Sequence, residues 1–377
     1  MPICDQWVYF DHAAVGPLTQ AANQAIADYA NEAATQGDTQ WPKWSKRLDE
    51  LRSSFASLLN AQESEVCLVP NTSTGINLVA EGWPWQAGDN IIVPDGEFPS
   101  NLFPWKNQAS KGVEVRVVAR RGDQVHVDDL MEQVDNKTRL IALSWVGYGS
   151  GYRVDLDSVV RLAHERGVLV FLDAIQGLGV FDLDLRKTPV DFLAADGHKW
   201  LLGPEGMGMA MIRQEHLDRI RCGNIGWASV ASSFNYAKPE MTLKSTAARF
   251  EPGSANMGGT AALLASVKIF LAVRQAHGPD AIGERIVGLV SSLDAQLRSL
   301  GIETRLAEDE DHRSGILNFQ VPGCQPAEFR ERALKENIVL SCRDGGVRAS
   351  VHAYNNEDDL QRLVQVVRQA VDGQRTL

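Results

Sequence analysis

Cysteine is scarce and unpaired in this chain: Cys4, Cys67, Cys222, Cys324 and Cys342 are scattered over 377 residues with no CxxC spacing. An odd, dispersed set argues against a disulfide framework and for a reducing, cytoplasmic setting. Positive charge is also in deficit, with 37 Lys and Arg against 48 Asp and Glu and a formal net charge of −11. A nucleic-acid partner normally needs a basic face, so none is expected. No run of about 18 apolar residues stands out, and neither a membrane span nor a membrane partner is expected. The opening residues, from Met1 to Trp7, lack the basic-then-apolar order of a signal peptide. His126, His164, His216, His277 and His312 show no metal-ligand spacing, and no metal is expected. Internal repeats and low-complexity segments are absent as well.

What is present is a chain that is 44% hydrophobic and long enough for a large core. Short β-rich runs at 66–69, 90–93, 113–118, 139–143, 168–172, 192–195 and 208–212 are separated by helical segments or loops. That alternation predicts an α/β unit with a mainly parallel, seven-stranded sheet and a site at the carboxyl ends of its strands. Two helices precede it, from the cap Thr19 to about 31 and from about 44 to 59. Beyond about residue 260 the pattern changes to α+β: helices at 260–275, 280–300, 326–336 and from 356, with strands at 315–320, 338–341 and 346–350. The expected organisation is an N-terminal segment lining the site (1–18), a large cofactor-binding domain (19–260) and a small C-terminal domain (261–377).

Two residues carry most of the chemistry. An apolar strand ends in Asp173, and a second apolar run delivers His198-Lys199 into the glycine-rich turn Gly203-Pro-Glu-Gly206-Met-Gly208, 26 positions later (199 − 173). A buried carboxylate is costly unless it meets a cation. A protonated pyridine nitrogen is such a cation, and a lysine amine can bond covalently to an aldehyde on the same ring, which together describe pyridoxal 5'-phosphate. In isolation, Asp173 also reads as a helix-capping acid, and a lone His-Lys pair signifies little. The segment Asn71-Thr72-Ser73-Thr74-Gly75 opens an apolar helix, whose unpaired first N–H groups suit a phosphate. An ordinary Ser/Thr cap is its plainer reading. Gly206-Met-Gly208 precedes a strand and not a helix, so it is no dinucleotide loop.

Asp173-Ala-Ile-Gln176, His198-Lys199 and the trailing GPEGMG together resemble the class V aminotransferases, a fold-type I family of pyridoxal phosphate enzymes that includes cysteine desulfurases, kynureninase-like proteins, isopenicillin N epimerase-like proteins and C–S lyases. The resemblance runs from Tyr9-Phe-Asp-His-Ala-Ala to Val347-Arg348-Ala-Ser350 and on to Tyr354-Asn355. It implies a homodimer with a shared active site. It further implies that Lys199 is catalytic, that Asp173 pairs with the ring nitrogen, and that Ser73, the Thr74 amide and His198 hold the phosphate. Gln176 would reach the ring's phenolic oxygen. Ser254, in Phe250-Glu-Pro-Gly253-Ser254, would reach the phosphate of the partner subunit, and Arg348 would bind the substrate carboxylate. Phe98 falls where desulfurases stack a histidine on the ring; it keeps the stacking and loses the acid–base function. Tyr148 stands near the place of an asparagine contact, and His12 borders the substrate loop, although a histidine bonded to backbone fits that turn equally well. Asp196 replaces a small residue and is expected to bond to backbone or to His198.

The desulfurase RxGxxC loop is missing. Cys342 lies in a short turn, six residues before Arg348, and reads as a small packed residue more than a persulfide carrier. The expected activity is pyridoxal phosphate chemistry at Cα or Cβ of a small amino acid or its conjugate. Transamination and C–S β-elimination stand level, with epimerisation behind them and desulfuration last. A non-catalytic dimeric scaffold is the alternative of another class, opposed by the presence of Lys199, Asp173 and Arg348 together.

Overall fold

The apolar runs form one sheet because they carry no polar alternation and must be covered on both faces. The computed structural model describes residues 1–375. A two-residue strand, β1 (Val8–Tyr9), precedes the main series β2 (Val66–Val69), β3 (Asn90–Pro94), β4 (Glu114–Val118), β5 (Thr138–Ser144), β6 (Leu169–Asp173), β7 (Phe192–Asp196) and β8 (Gly208–Ile212). Their order in space is β2-β8-β7-β6-β5-β3-β4, with β8 antiparallel to both neighbours and the rest parallel. Strands β2, β3, β7 and β8 are buried at every position, whereas the edge strand β4 exposes charged Glu114. A charged edge discourages pairing with other chains.

Helices α1 (Gln20–Gln36), α2 (Trp41–Leu59), α3 (Thr72–Gly82), α4 (Phe103–Lys106), α5 (Val127–Glu132), α6 (Leu156–His164) and α7 (Met257–His277) flank this sheet. Thr19 caps α1 by accepting the Ala22 amide, and Asn60 ends α2 in the left-handed conformation (φ 52°). One packed face joins Phe55, Ile141, Leu172, Leu263 and Val267; the other joins Ile76, Val79, Trp105, Phe171 and Phe192. By length and composition α7 is apolar enough to cross a bilayer, contrary to the expectation that no segment would be. Half of its most apolar window is buried, and it packs on α1 and α2, so its hydrophobicity serves the core.

The C-terminal part contains α8 (Ala281–Ser299), β9 (Glu303–Arg305), β10 (Ile316–Gln320), α9 (Pro326–Lys335), β11 (Ile338–Val339), β12 (Ser341–Arg343), β13 (Gly346–Ser350) and α10 (Glu357–Arg375). Its antiparallel sheet has the order β12-β13-β10-β9 around Phe319, Phe329, Val347 and Leu363. β1 pairs in parallel with β11, Val8 opposite Ile338, so the N-terminus is held by the far end of the chain.

Between β8 and α7 the chain has no named strand, and two charged side chains pin its end. Arg249 donates to Asp218 Oδ1 at 3.1 Å, and Glu251 accepts from Arg52 Nε (2.8 Å), Arg52 Nη2 (2.6 Å) and the Leu68 amide (2.9 Å). Removing Glu251 leaves the largely buried Arg52 with only the exposed Asp49 (2.6 Å) and the Leu68 amide without its acceptor. Glu251→Ala should therefore lower unfolding free energy by about 3 kcal/mol in urea titrations. A loss below about 1 kcal/mol, the worth of an exposed pair, would reduce this contact to a surface bridge.

Candidate active site

Three strand ends and one helix start converge on a cavity of about 340 Å³. β5 ends at Ser144 and β6 at Asp173, directly opposite each other and in line with Ala194 of β7, which runs two residues further to Asp196. Behind β7 the chain makes a tight loop: Gly197 N donates to Met207 O at 3.0 Å, Gly203 N to Gly197 O at 2.8 Å, and Leu202 takes a left-handed φ of 54°. Such strain persists only where the surroundings enforce it. Lys199 sits in this loop. The N-terminal segment closes over it, with Gly16 N donating to His198 O at 2.6 Å. A Cβ on Gly16 would lie 2.1 Å from the Lys199 carbonyl oxygen, so only glycine fits.

The electrostatics follow from burial. Desolvation pushes the Asp173 carboxyl up to about 6, against one hydrogen bond from the Ile175 amide (3.1 Å) and the pull of Lys199. Desolvation likewise pulls the Lys199 amine down to about 8, with Asp173 opposing. The Lys199 Nζ stands 5.8 Å from the centroid of the Phe98 ring, which meets Tyr148 edge-on at 5.3 Å. Arg348 is 1% exposed and donates to Ser341 Oγ (3.1 Å), Tyr148 O (2.7 Å) and Asp11 Oδ1 (3.2 Å). Three of its five N–H groups are thus used, leaving two for a ligand.

The residues present fit pyridoxal phosphate. The Thr72 hydroxyl is buried without a partner at the start of α3, beside Ser73, whose Oγ donates to Ser100 Oγ at 2.7 Å. An orphaned donor at a helix N-terminus is what a phosphate satisfies. A carboxyl, an amine and an exposed flat ring then stand around the same cavity as that anion site.

A class-V aminotransferase profile matches residues 8–363. The chain belongs to this family. Its cofactor is pyridoxal 5'-phosphate, and it is an enzyme acting on an amino acid. A probable cysteine desulfurase of Methanothermobacter thermautotrophicus is 29% identical, aligned over 98% of this chain and 96% of the relative. A cysteine desulfurase of Cronobacter sakazakii is 30% identical over 85% of this chain and 81% of its own length. Among solved structures, the cystine C–S lyase C-DES bound to its product cysteine persulfide superposes with a TM-score of 0.90 at 22% identity, covering 97% and 98% of the two chains.

In this class-V enzyme the cavity is lined by Lys199, Asp173, Ser73, Phe98, Tyr148, Gln176, His198 and Arg348. Gln176 is largely committed elsewhere: its Nε2 donates to Ala13 O (3.0 Å) and its Oε1 accepts from Trp200 Nε1 (2.7 Å). The Thr74 amide is spent as well, donating to Asn71 Oδ1 at 2.8 Å in the α3 cap, so the first free groups of the helix belong to Thr72 and Ser73. Asp196 Oδ2 lies 3.1 Å from His198 Nδ1, which is where an acid excluded from the phosphate would turn.

Three expected residues lie outside the cavity: Thr74, whose amide is spent in the cap, His12 and Ser254. His12 is fully buried: its Nδ1 bonds the Ser350 carbonyl at 2.7 Å and its Nε2 the Tyr354 hydroxyl at 2.7 Å. It ties the N-terminal turn to the C-terminal sheet and does not contact the substrate space. Ser254 lines a different hollow of about 460 Å³, with Trp41, Trp227 and Phe234. Four residues were missed as cavity or near-cavity groups. Asp11 anchors Arg348, and Arg343 and Glu205 line the walls. Glu97 accepts from Ser144 N (2.6 Å), the Ser144 hydroxyl and Asn101 Nδ2 (3.0 Å), while burial still raises its carboxyl to about 7. Asp11 stood in the Tyr9-Phe-Asp-His-Ala-Ala motif and Glu97 directly precedes Phe98, but only their folded contacts define them.

Two measurements test this geometry. Borohydride reduction of the holoenzyme followed by peptide mass spectrometry should find the cofactor adduct on Lys199 and on no other lysine, and none in Lys199→Ala. The second concerns pH. Burial pushes His352 down to about 4 and His12 well below its ordinary value, so both stay neutral in the folded protein. An unfolded imidazole takes a proton near pH 6.5 and the folded one refuses it until about 4, so stability is complete above 6.5 and lost as pH falls between these values. His352→Gln should remove about 3 kcal/mol of this pH-dependent loss relative to the native chain. An unchanged slope in paired denaturant titrations at several pH values would contradict it.

Proposed function

We propose that this class-V enzyme is a C–S lyase that eliminates sulfur from Cβ of a sulfur-containing amino acid and leaves it on a small-molecule product. The carrying observation is the side of β12 on which sulfur chemistry would have to occur. Successive strand residues point to opposite faces. Ser341 accepts from Arg348 and Arg343 lines the cavity, which places Cys342 on the other side. Among the described residues no cysteine lines the cavity, and burial raises the Cys342 thiol, which disfavours the thiolate a persulfide carrier needs. The named desulfurase and cystine C–S lyase relatives support sulfur chemistry, and the missing thiol separates the two versions of it.

Each residue then has a task. The two free N–H groups of Arg348 hold the substrate carboxylate, and the Asp11 pair keeps that guanidinium aimed. Lys199, displaced toward neutrality, takes the Cα proton at an ordinary pH. Phe98 packs on the ring face, Asp173 keeps the ring nitrogen protonated, and the α3 start with His198 holds the phosphate. Bound pyridoxal phosphate supplies an electron-withdrawing ring that accepts the charge left at Cα when a bond to it breaks. Elimination breaks Cα–H and Cβ–S, and the electron pair of the second bond leaves with sulfur. Phe98 has no proton to give, so Lys199 and solvent supply proton transfer.

The proposal includes a homodimer with a shared site, in which Ser254 serves the partner's phosphate. Its support is the hollow around Ser254 and the apolar surface beside it: Phe234, Tyr236 and Met241 are 61%, 69% and 69% exposed. Contiguous exposed aromatics of this kind mark an interface. It also includes the division into an N-terminal segment, a large domain and a small domain, and a cytoplasmic setting, which five free cysteines suit.

Incubation with cystine and with cysteine S-conjugates should give pyruvate and ammonia in step with sulfur release. Cys342→Ala should keep the rate within about two-fold of the native enzyme. Alanine as the organic product, or sulfur release abolished in Cys342→Ala, would replace this reading with desulfuration.

A further inference from the structure

One cation in the cavity has no task in this chemistry. Arg348 is buried and bonded and half-buried Lys199 faces Asp173, but Arg343 is exposed and lines the same cavity. Among the described residues its guanidinium makes one hydrogen bond, from Nη1 to the adjacent Cys342 carbonyl at 2.8 Å. Among the described residues no carboxylate forms an ion pair with it.

Its position is nonetheless built. Arg343 pairs with Gly346 across the β12–β13 hairpin, which leaves a two-residue turn of Asp344 (φ 48°) and Gly345 (φ 75°). Both positive φ values and the Asp-Gly sequence belong to the type I′ turn, whose twist matches the strands. The hairpin tip is pinned from two sides. Asn318 Nδ2 donates to Arg343 O at 2.9 Å, and Arg305 Nη1 donates to Asp344 O at 3.0 Å while its Nε holds Asp123 at 2.8 Å. The guanidinium therefore extends from a fixed base. It is close enough for its charge to work against those of Lys199 and Arg348.

Burial orders the two arginines. Arg348, 1% exposed, forms the floor, and Arg343 stands toward solvent. A substrate whose α-carboxylate is held on the floor extends its β-substituent toward the mouth. We infer that Arg343 is a specificity-determining residue that binds a second carboxylate, carried by the leaving half of the substrate. The preferred substrate class is then a cysteine thioether or disulfide whose sulfur-linked fragment is itself acidic. This deepens the C–S lyase reading and rests on it for the chemistry, though not for the binding. Glu205, exposed on the Gly203–Gly206 turn, lines the same cavity and opposes a bare anion, so the fit depends on pairing with Arg343. An arginine fork on a carboxylate is worth one to two orders of magnitude in discrimination.

The test compares holoenzyme kinetics on two mixed disulfides of cysteine, with 3-mercaptopropionate and with propanethiol, which differ in one terminal carboxylate. The native enzyme should favour the acidic one by about ten-fold or more in kcat/KM. Arg343→Ala should erase that preference while changing the propyl substrate by less than about two-fold, and Arg343→Lys should restore part of it. Equal losses on both substrates would overturn the inference and make Arg343 a second α-carboxylate ligand or a structural residue; no loss on either would also overturn it. If neither disulfide is cleaved, the C–S lyase reading fails by itself. Titration of the holoenzyme spectrum with 2-aminoadipate and norleucine then decides the inference: an Arg343-dependent preference for the diacid supports it, and equal affinities refute it.

Discussion

The site depends on two opposite charges buried in one cavity. Asp173 and Lys199 are both displaced toward neutrality by desolvation, and each is the principal counter-charge of the other. Leaving a carboxylate at the end of a buried strand is unfavourable unless something cationic arrives. A protonated ring nitrogen would answer that need and free the lysine amine to react. The strained loop at Leu202, the Gly16 contact and the register of β5, β6 and β7 all hold these two groups where one ligand can meet both.

The hairpin β12–β13 is the second determinant. At this hairpin the chain has a two-residue turn that sets an arginine at the cavity and the neighbouring thiol on the opposite face. Strand parity makes those outcomes inseparable: any side chain two positions from Ser341 faces Arg348, and the one between them cannot. A single register therefore fixes the side on which each of the two residues stands.

Much of the fold was legible because its signals are local. The strands of the large sheet coincide with apolar runs to within a residue or two, and Thr19 caps its helix as a short polar side chain before apolar periodicity should. Asp173 and Lys199 were legible from local signals too, since the one ends a strand and the other follows a strand by three residues. Long-range facts were not. The burial of His12 depends on Ser350 and Tyr354, more than three hundred residues away. The Thr74 amide was lost to a competing cap, Asn71, that occupies the same turn. Arg343 carries no motif of its own; the sheet brings it to the cavity that Arg348 also lines. The apolarity of α7 was diluted by its glycines and by Lys268 in a reading that sought an unbroken run.

Parallel pairing of Val8 with Ile338 has a consequence for biosynthesis. The two partners are separated by 330 positions (338 − 8), so the loop they close spans nearly the whole polypeptide. Contacts this distant form late, after local and sheet contacts have offset their own ordering entropy. While a ribosome is still extending the chain, β1 has no strand to join, and the Gly16 lid over the lysine has no anchor. Assembly of the catalytic cleft is thus a post-translational event, and a nascent chain that stalls short of β11 carries the large sheet without a closed site.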